Sequence, residues 1–190
     1  AAKLATELGP AIVLEAPVRS ISQTSTSVTV RSDKGDWVAD FCVVAVPLTL
    51  STRITYDPPL PPERDVLAQR MPMGSGIKWY VAYTKPFWRE HGLNGLAWTE
   101  LAPLAFTYDA SPPSNAPGLL VGFIDNRFVM EWTSRSTAER RKVVLDRLVD
   151  LFGKEAANPL EYQDQNWPAE VWSRGCYGGS TGPGVLTTVG

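Results

Sequence analysis

The chain has 190 residues, of which 44% are hydrophobic, 10% aromatic and 20% charged, with a formal net charge of −2. That composition belongs to a packed globular protein and excludes a disordered or fibrous one, and the absence of a basic stripe speaks against a nucleic-acid partner. The longest uncharged apolar run, Phe41 to Leu50, is interrupted by Pro47 and falls well short of the roughly 20 residues that a membrane-spanning helix needs.

In chain order, Leu4, Ala5 and Leu8 before Gly9 read as the last turns of a helix. Ile12 to Glu15 and Val18 to Gln23 read as short strands. Ser27 to Arg31 alternates with period two, Asp33 to Asp36 is a turn, and Trp37 to Phe41 returns as the second arm of a hairpin. Cys42 to Val46 is continuously apolar, the pattern of a strand buried on both faces in a parallel sheet. Tyr56 to Pro62 carries four prolines and reads as a connector; Glu63 to Arg70 continues as a helix. Met73 to Gly76 reads as a flexible linker, Ile77 to Tyr83 as an aromatic-rich strand, and Pro86 to Gly95 as a loop.

Leu96 to Glu100, Ala105 to Tyr108 and Leu119 to Ile124 read as strands, with a Pro-rich surface loop from Ser111 to Gly118. Ser136 with Glu139 makes a capping box, and Val144, Leu148, Leu151 and Phe152 follow at helical spacing up to Gly153. Leu160 to Gln163 is a further strand. Gly184 to Gly190 shows no terminating element, and residue 1 is not Met, so the expectation is a piece of a longer protein. The fold class expected is α+β, mixed with α/β character: a mixed sheet with helices on one face.

Two cysteines, Cys42 and Cys176, cannot build a disulfide framework or a zinc site, and one histidine, His91, excludes a two-histidine metal centre. His91 lies in a polar loop, Arg89 to Gly92, which makes a Ser-His-Asp triad a poor fit. No dinucleotide fingerprint or Walker sequence is present, and no signal peptide is visible in this stretch. The default compartment is a reducing cytoplasm.

Three features stand out chemically. Lys78 lies within an otherwise apolar strand, where Lys78, Tyr80 and Ala82 share one face and Ile77, Trp79, Val81 and Tyr83 the other. Either it is desolvated and has a task, or it lies along a solvated face with its head in water. The segment from Asn166 to Gly179 gathers Trp167, Trp172, Cys176 and Tyr177 around a glycine-rich bend. Such a bend suits close approach to a flat ligand or a core-capping loop. Trp98, Phe106, Tyr108 and Phe123 lie on three candidate strands, either lining an apolar pocket or forming core.

Pro58 to Pro61, Met73 to Lys78, Pro86 to Arg89, Asn166-Trp167, Gly175 to Tyr177 and Gly182 to Gly184 occur in one order along the chain. Together they resemble the flavin-containing monoamine oxidase family over essentially the whole length. The resemblance implies FAD as cofactor, an incomplete FAD-binding segment at residues 1–50, a substrate-binding domain at 51–164 and a re-entry toward the flavin at 165–190. It implies that Lys78 holds a water against the flavin and stabilises charge formed when O2 reoxidises it. Tyr177 is implied as one wall of an aromatic cage for the amine. Cys176 matches a position that carries a thioether to FAD in some members, although Arg174 stands where the family pattern has glycine. Trp167 and Trp172 are implied beside the isoalloxazine, Val18 as a backbone contact to the adenine half, and Trp98, Phe106, Tyr108 and Phe123 as cavity lining.

The reaction implied takes an amine, water and O2 to an aldehyde, ammonia and hydrogen peroxide. Hydride passes from the carbon next to nitrogen, and the resulting imine is hydrolysed. The chain alone is expected to be inactive, because the family's pyrophosphate-anchoring glycines are not in it. Other readings are a non-catalytic binding domain on the same fold, or an amino-acid oxidase, for which Arg127 or Arg53 would have to pair with a substrate carboxylate.

Overall fold

The computed structural model describes residues 1–124 and 126–189. The chain divides into two compact units: Ala1–Pro72 with the residues from Ser180 onward, and Met73–Gly179. These spatial divisions fall away from positions 50 and 164. Residues 55–57 stay with the first unit through strand pairing, and residues 165–179 stay with the second through β-bonding.

In the first unit, helix α1 (Ala2–Leu8) buries none of its residues and stops at Gly9, whose φ of 49° an L side chain rarely adopts. Ile12 to Glu15 does not form the expected strand: the segment is exposed, Glu15 takes a left-handed φ of 55°, and no strand pairs with it among the described residues. Apolar residues favour extended backbone only where a neighbour takes up its hydrogen bonds. Strands β1 (Val18–Gln23), β2 (Val28–Ser32) and β3 (Gly35–Ala39) form the antiparallel meander that alternation predicts, with Asp33-Lys34 as its tight turn. Arg19 clamps that turn through two hydrogen bonds to Asp33, at 2.7 and 2.6 Å.

Contrary to the buried strand expected, Cys42 to Val46 forms no strand and is exposed, with neighbouring Phe41 at 89% and Val43 at 88%. A continuous apolar run indicates burial on both faces only when both faces have cover, and no strand of the described residues lies beside it. Helix α2 (Leu48–Ser51) follows, and the proline-rich connector opens with a strand, β4 (Thr55–Asp57), parallel to β1. The sheet order β3-β2-β1-β4 is therefore mixed. Helix α3 (Pro62–Arg70) starts on Pro62 as expected. The last stretch is not without a terminating element: Val185–Val189 forms a short helix in contact with α3. Gly190 lies outside the described residues.

The second unit is a five-stranded sheet, antiparallel throughout. Its strands are β5 (Ile77–Tyr83), β6 (Ala97–Trp98), β7 (Leu104–Asp109), β8 (Gly118–Ile124) and β9 (Glu161–Asn166), in the order β6-β7-β8-β5-β9. Helix α4 (Phe87–Glu90) replaces part of the expected 86–95 loop, α5 (Asn126–Trp132) was not expected, and α6 (Thr137–Phe152) carries the capping box that its sequence announced. The α+β class holds, with the mixed pairing in the four-stranded sheet.

Alternation on β5 is strict: Ile77, Trp79, Val81 and Tyr83 are buried, Lys78, Tyr80 and Ala82 half-buried. The buried set packs with Val144, Leu145, Leu148 and Phe152 of α6 and with Phe87 and Trp88 of α4, each fully buried side chain stabilising by roughly 1.5–3 kcal/mol. Arg140 of α6 donates from Nε and Nη2 to the two carboxylate oxygens of Asp164 on β9, at 2.7 and 2.9 Å, and Tyr162 donates to the same carboxylate. This buried network ties helix to sheet and leaves the opposite face of the sheet free of helix α6.

A bulge in β7 sets what that opposite face presents. Leu104 pairs with Ile124 and Thr107 with Gly122, so two residues, Ala105 and Phe106, stand opposite Phe123. Leu104 and Thr107 thus both point into the core, while Phe106 and Tyr108 point away from it. The glycine at 122 is required by close approach: a Cβ there would lie 2.2 Å from the Trp79 indole and 2.4 Å from the Phe106 carbonyl oxygen.

Candidate functional site

The free face of the second unit's sheet carries a continuous chain of rings. Trp98 and Phe106 lie 5.1 Å apart, Phe106 and Tyr108 6.2 Å, Phe106 and Phe123 5.4 Å, and Phe123 meets Tyr177 edge-on at 6.0 Å. Offset and edge-on pairs at these spacings are each worth about 0.5–1.5 kcal/mol beyond burial. The outer members stay exposed, Trp98 at 77% and Tyr177 at 86%. Val121 is buried even on this side because its register partners are Tyr80 and Tyr108.

Lys78, the second residue of β5, stands near one end of that face. Its cross-strand neighbours are Phe123 on β8 and Gln165 on β9. Its Nζ lies 5.1 Å from the Tyr80 ring centroid and 5.7 Å from that of Phe123. The Tyr80 hydroxyl above all, and that of Tyr108 to a smaller degree, hold the ammonium pKa above the ordinary lysine value against the opposing effect of burial. Lys78 is thus a half-buried cation among rings.

Cys176 and Tyr177 reach the same end of the sheet through a backbone crossing. Met73 bridges Gly179, Gly74 N–H donates to Gly178 O, and Cys176 N–H donates to Gly74 O at 2.7 Å. The stretch expected to be flexible, 73–76, is therefore tied down at Met73 and Gly74. A Cβ on Gly175 would lie 2.3 Å from Met73 Cβ, so only glycine permits the crossing. A methyl at Gly76 would lie 3.4 Å from Phe123 Cδ1 and 3.6 Å from Cys176 Sγ, which puts that thiol over the start of β5, next to Phe123. Arg174 adopts a left-handed φ of 52°, a conformation that explains why glycine suits this position.

Sequence reading thus selected six residues that the fold brings to one face: Lys78, Trp98, Phe106, Tyr108, Phe123 and Tyr177, with Cys176 beside them. Trp167 is half-buried just after β9, and Trp172 is 62% exposed; neither joins the ring chain among the described residues. Val18 lies half-buried on β1 in the other unit. Arg53 is exposed, and Arg127 stacks on Phe128 of its own helix at 4.9 Å, so the ring-lined face holds neither arginine. Tyr80, which alternation already places on the Lys78 face, and Gly76, which lies under Phe123 and Cys176, belong to the same site.

A flat heteroaromatic cofactor needs exposed ring surface, close backbone and a polar partner for its edge. The exposed Tyr177 ring, the glycine crossing and the Lys78 ammonium meet those needs at one end of this sheet. The pattern of the flavin-containing amine oxidoreductases matches residues 1–184. This chain belongs to that family. Within it, the chain is 41% identical over 178 residues to the probable flavin-containing monoamine oxidase A of Dictyostelium discoideum, covering 93% of this chain and 39% of that protein. It is 39% identical over 188 residues to an L-amino acid dehydrogenase of Synechocystis sp., covering 99% and 40%. A putrescine oxidase with redesigned cofactor binding superposes with a TM-score of 0.89 at 33% identity, over 99% of this chain and 42% of that one. This amine oxidoreductase chain spans about two fifths of the length of the relatives it matches. Among the described residues no helix is long and apolar enough to cross a membrane.

Proposed function

We propose that this chain is the substrate-facing part of an FAD-dependent amine oxidase that converts an amine, water and O2 into an aldehyde, ammonia and hydrogen peroxide. One observation carries the reading: a lysine ammonium, two phenylalanine rings, an exposed tyrosine and a cysteine thiol share one face of one sheet. Residues 1–50 are proposed as part of the FAD-binding domain, with Val18 offering backbone to the adenine half. Residues 51–164 are proposed as the substrate domain and 165–190 as the return toward the flavin, with Trp167, Trp172 and Cys176 beside it. The family's flavin, when bound, supplies the two-electron acceptor that side chains lack.

Lys78 contributes a fixed positive charge that can hold a water and stabilise negative charge as O2 is reduced. The Tyr177 and Phe123 rings offer electron-rich faces to an approaching amine and exclude water around it. Phe106, Tyr108 and Trp98 continue that surface and favour an aryl or alkyl tail. Two carboxylates of this unit are already engaged elsewhere, Asp109 with Arg89 and Asp164 with Arg140. Glu161, at the far end of the face opposite Ala82, accepts from Gln163 at 2.6 Å. Monoamines with apolar tails therefore suit the face better than diamines. Two unpaired cysteines agree with a reducing, cytoplasmic setting.

Stopped-flow kinetics of the flavin-loaded full-length protein test the reading. Lys78→Met is expected to slow reoxidation by O2 by roughly tenfold or more while changing anaerobic reduction by amine far less. Equal effects on both halves, or failure of the full-length protein to take up flavin, overturn it and favour a binding module. A higher kcat/KM for putrescine or phenylalanine than for 2-phenylethylamine overturns the substrate class.

A further inference from the structure

Tyr80 has no part in the roles above, yet it is the nearest ring to Lys78. Both project from β5 to the same face, two residues apart. A lysine stem can lie along a sheet and leave its ammonium in water. Here Nζ instead lies within range of two rings, 5.1 Å from Tyr80 and 5.7 Å from Phe123, both inside the distance of about 6 Å at which a ring face attracts a cation. The groups around Lys78 are Tyr80 on its own strand, Phe123 from β8, Tyr108 from β7 and Gln165 from β9. The titratable ones among them are tyrosines, and none is a carboxylate. The ammonium is thus held by ring quadrupoles and hydroxyl dipoles, not by an ion pair.

We propose that Tyr80 is a positioning residue for Lys78: with Phe123 it forms a two-ring seat that keeps the ammonium on the ring-lined face instead of in bulk water. The catalytic meaning of the seat rests on the reading of Lys78 proposed above; the seat itself does not. Its consequence is that the cation arrives already placed and already partly stripped of water, so little rearrangement is needed when charge develops next to it.

Carbon-13 NMR of the chain, labelled at lysine, tests the seat without flavin. The Lys78 ε-methylene signal is identified by its loss in Lys78→Met. In the unsubstituted chain this signal is expected upfield of the other lysines through ring currents. Tyr80→Leu is expected to return it to the position of exposed lysines and to lower its titration midpoint by about half a pH unit. Tyr80→Phe, which keeps the ring and its volume, is expected to keep the upfield shift and lower the midpoint by a smaller step. A signal that is unshifted in the starting chain, one that stays put in Tyr80→Leu, or loss of the upfield shift in Tyr80→Phe overturns the proposal. Normal reoxidation in flavin-loaded Lys78→Met overturns the functional reading alone and leaves the seat standing.

Discussion

The charge on Lys78 is held by neighbours that are themselves uncharged, in contrast to four other basic side chains of its unit. Lys85, Arg89, Arg140 and Lys142 each meet a carboxylate. Tyr177, at the far end of the same ring chain, makes a single edge-on ring contact and is otherwise exposed. Tyr177→Ala is therefore expected to change unfolding free energy by less than about 0.5 kcal/mol while lowering, in the full-length protein and on the function proposed above, kcat/KM for an arylalkyl amine. Urea melts and steady-state assays separate the two. Arg174 sits in the left-handed region with an exposed side chain. Arg174→Gly removes that strain but adds freedom to the unfolded chain, and a net stabilisation of about 0.5–1 kcal/mol is expected in urea unfolding.

At the scale of elements, the face that carries the rings depends on what happens on the opposite face. Removing one partner of the buried Arg140–Asp164 pair, as in Asp164→Asn, strands a charge and is expected to destabilise by about 3–5 kcal/mol. Replacing both partners by apolar residues is expected to recover most of that loss, as read by thermal unfolding of the single and double variants. Gly122→Ala drives a methyl into the Trp79 ring and is expected to cost about 1–3 kcal/mol or more. Its readout is lost stability together with a weaker Phe106–Phe123 ring-current signature, since the same glycine lies under the β7 bulge.

Asp109 ties β7 to α4, accepting from Trp88 Nε1 at 2.9 Å and from Arg89 Nε at 2.7 Å. Burial by itself would raise its pKa, but hydrogen bonds from Ser111, Trp88 and Arg89 outweigh burial and hold the carboxyl below its ordinary value of 3.8. The folded value is depressed, so this contribution is complete above the unfolded value and is lost as pH falls through the folded one. Stability is expected to decline below about pH 4, and Asp109→Asn to flatten that limb of a pH–denaturation curve.

At the scale of the whole chain, taken by itself, the exposed run from Phe41 to Val46 is open to self-association. Contiguous uncovered apolar residues of high strand propensity promote self-association. Phe41→Glu with Val43→Thr is expected to raise the concentration at which the chain scatters light while leaving the far-ultraviolet circular dichroism of the folded chain unchanged. An unaltered aggregation threshold would exclude this segment as the cause.

The sequence alone determined whatever is local: the β2–β3 hairpin, the capping box of α6, the strict alternation of β5, and hence that Lys78 and Phe106 with Tyr108 each stand on a defined face. It could also carry a family resemblance, because that resides in ordered short motifs. Only tertiary structure decided which faces meet. Tyr177 reaches Phe123 because two glycine segments distant in sequence cross within bonding distance, and Tyr80 becomes the seat of Lys78 because β8 and β7 bring Phe123 and Tyr108 alongside. The same limit explains Cys42 to Val46: periodicity registers how apolar a segment is, whereas burial depends on a neighbour that the segment does not encode.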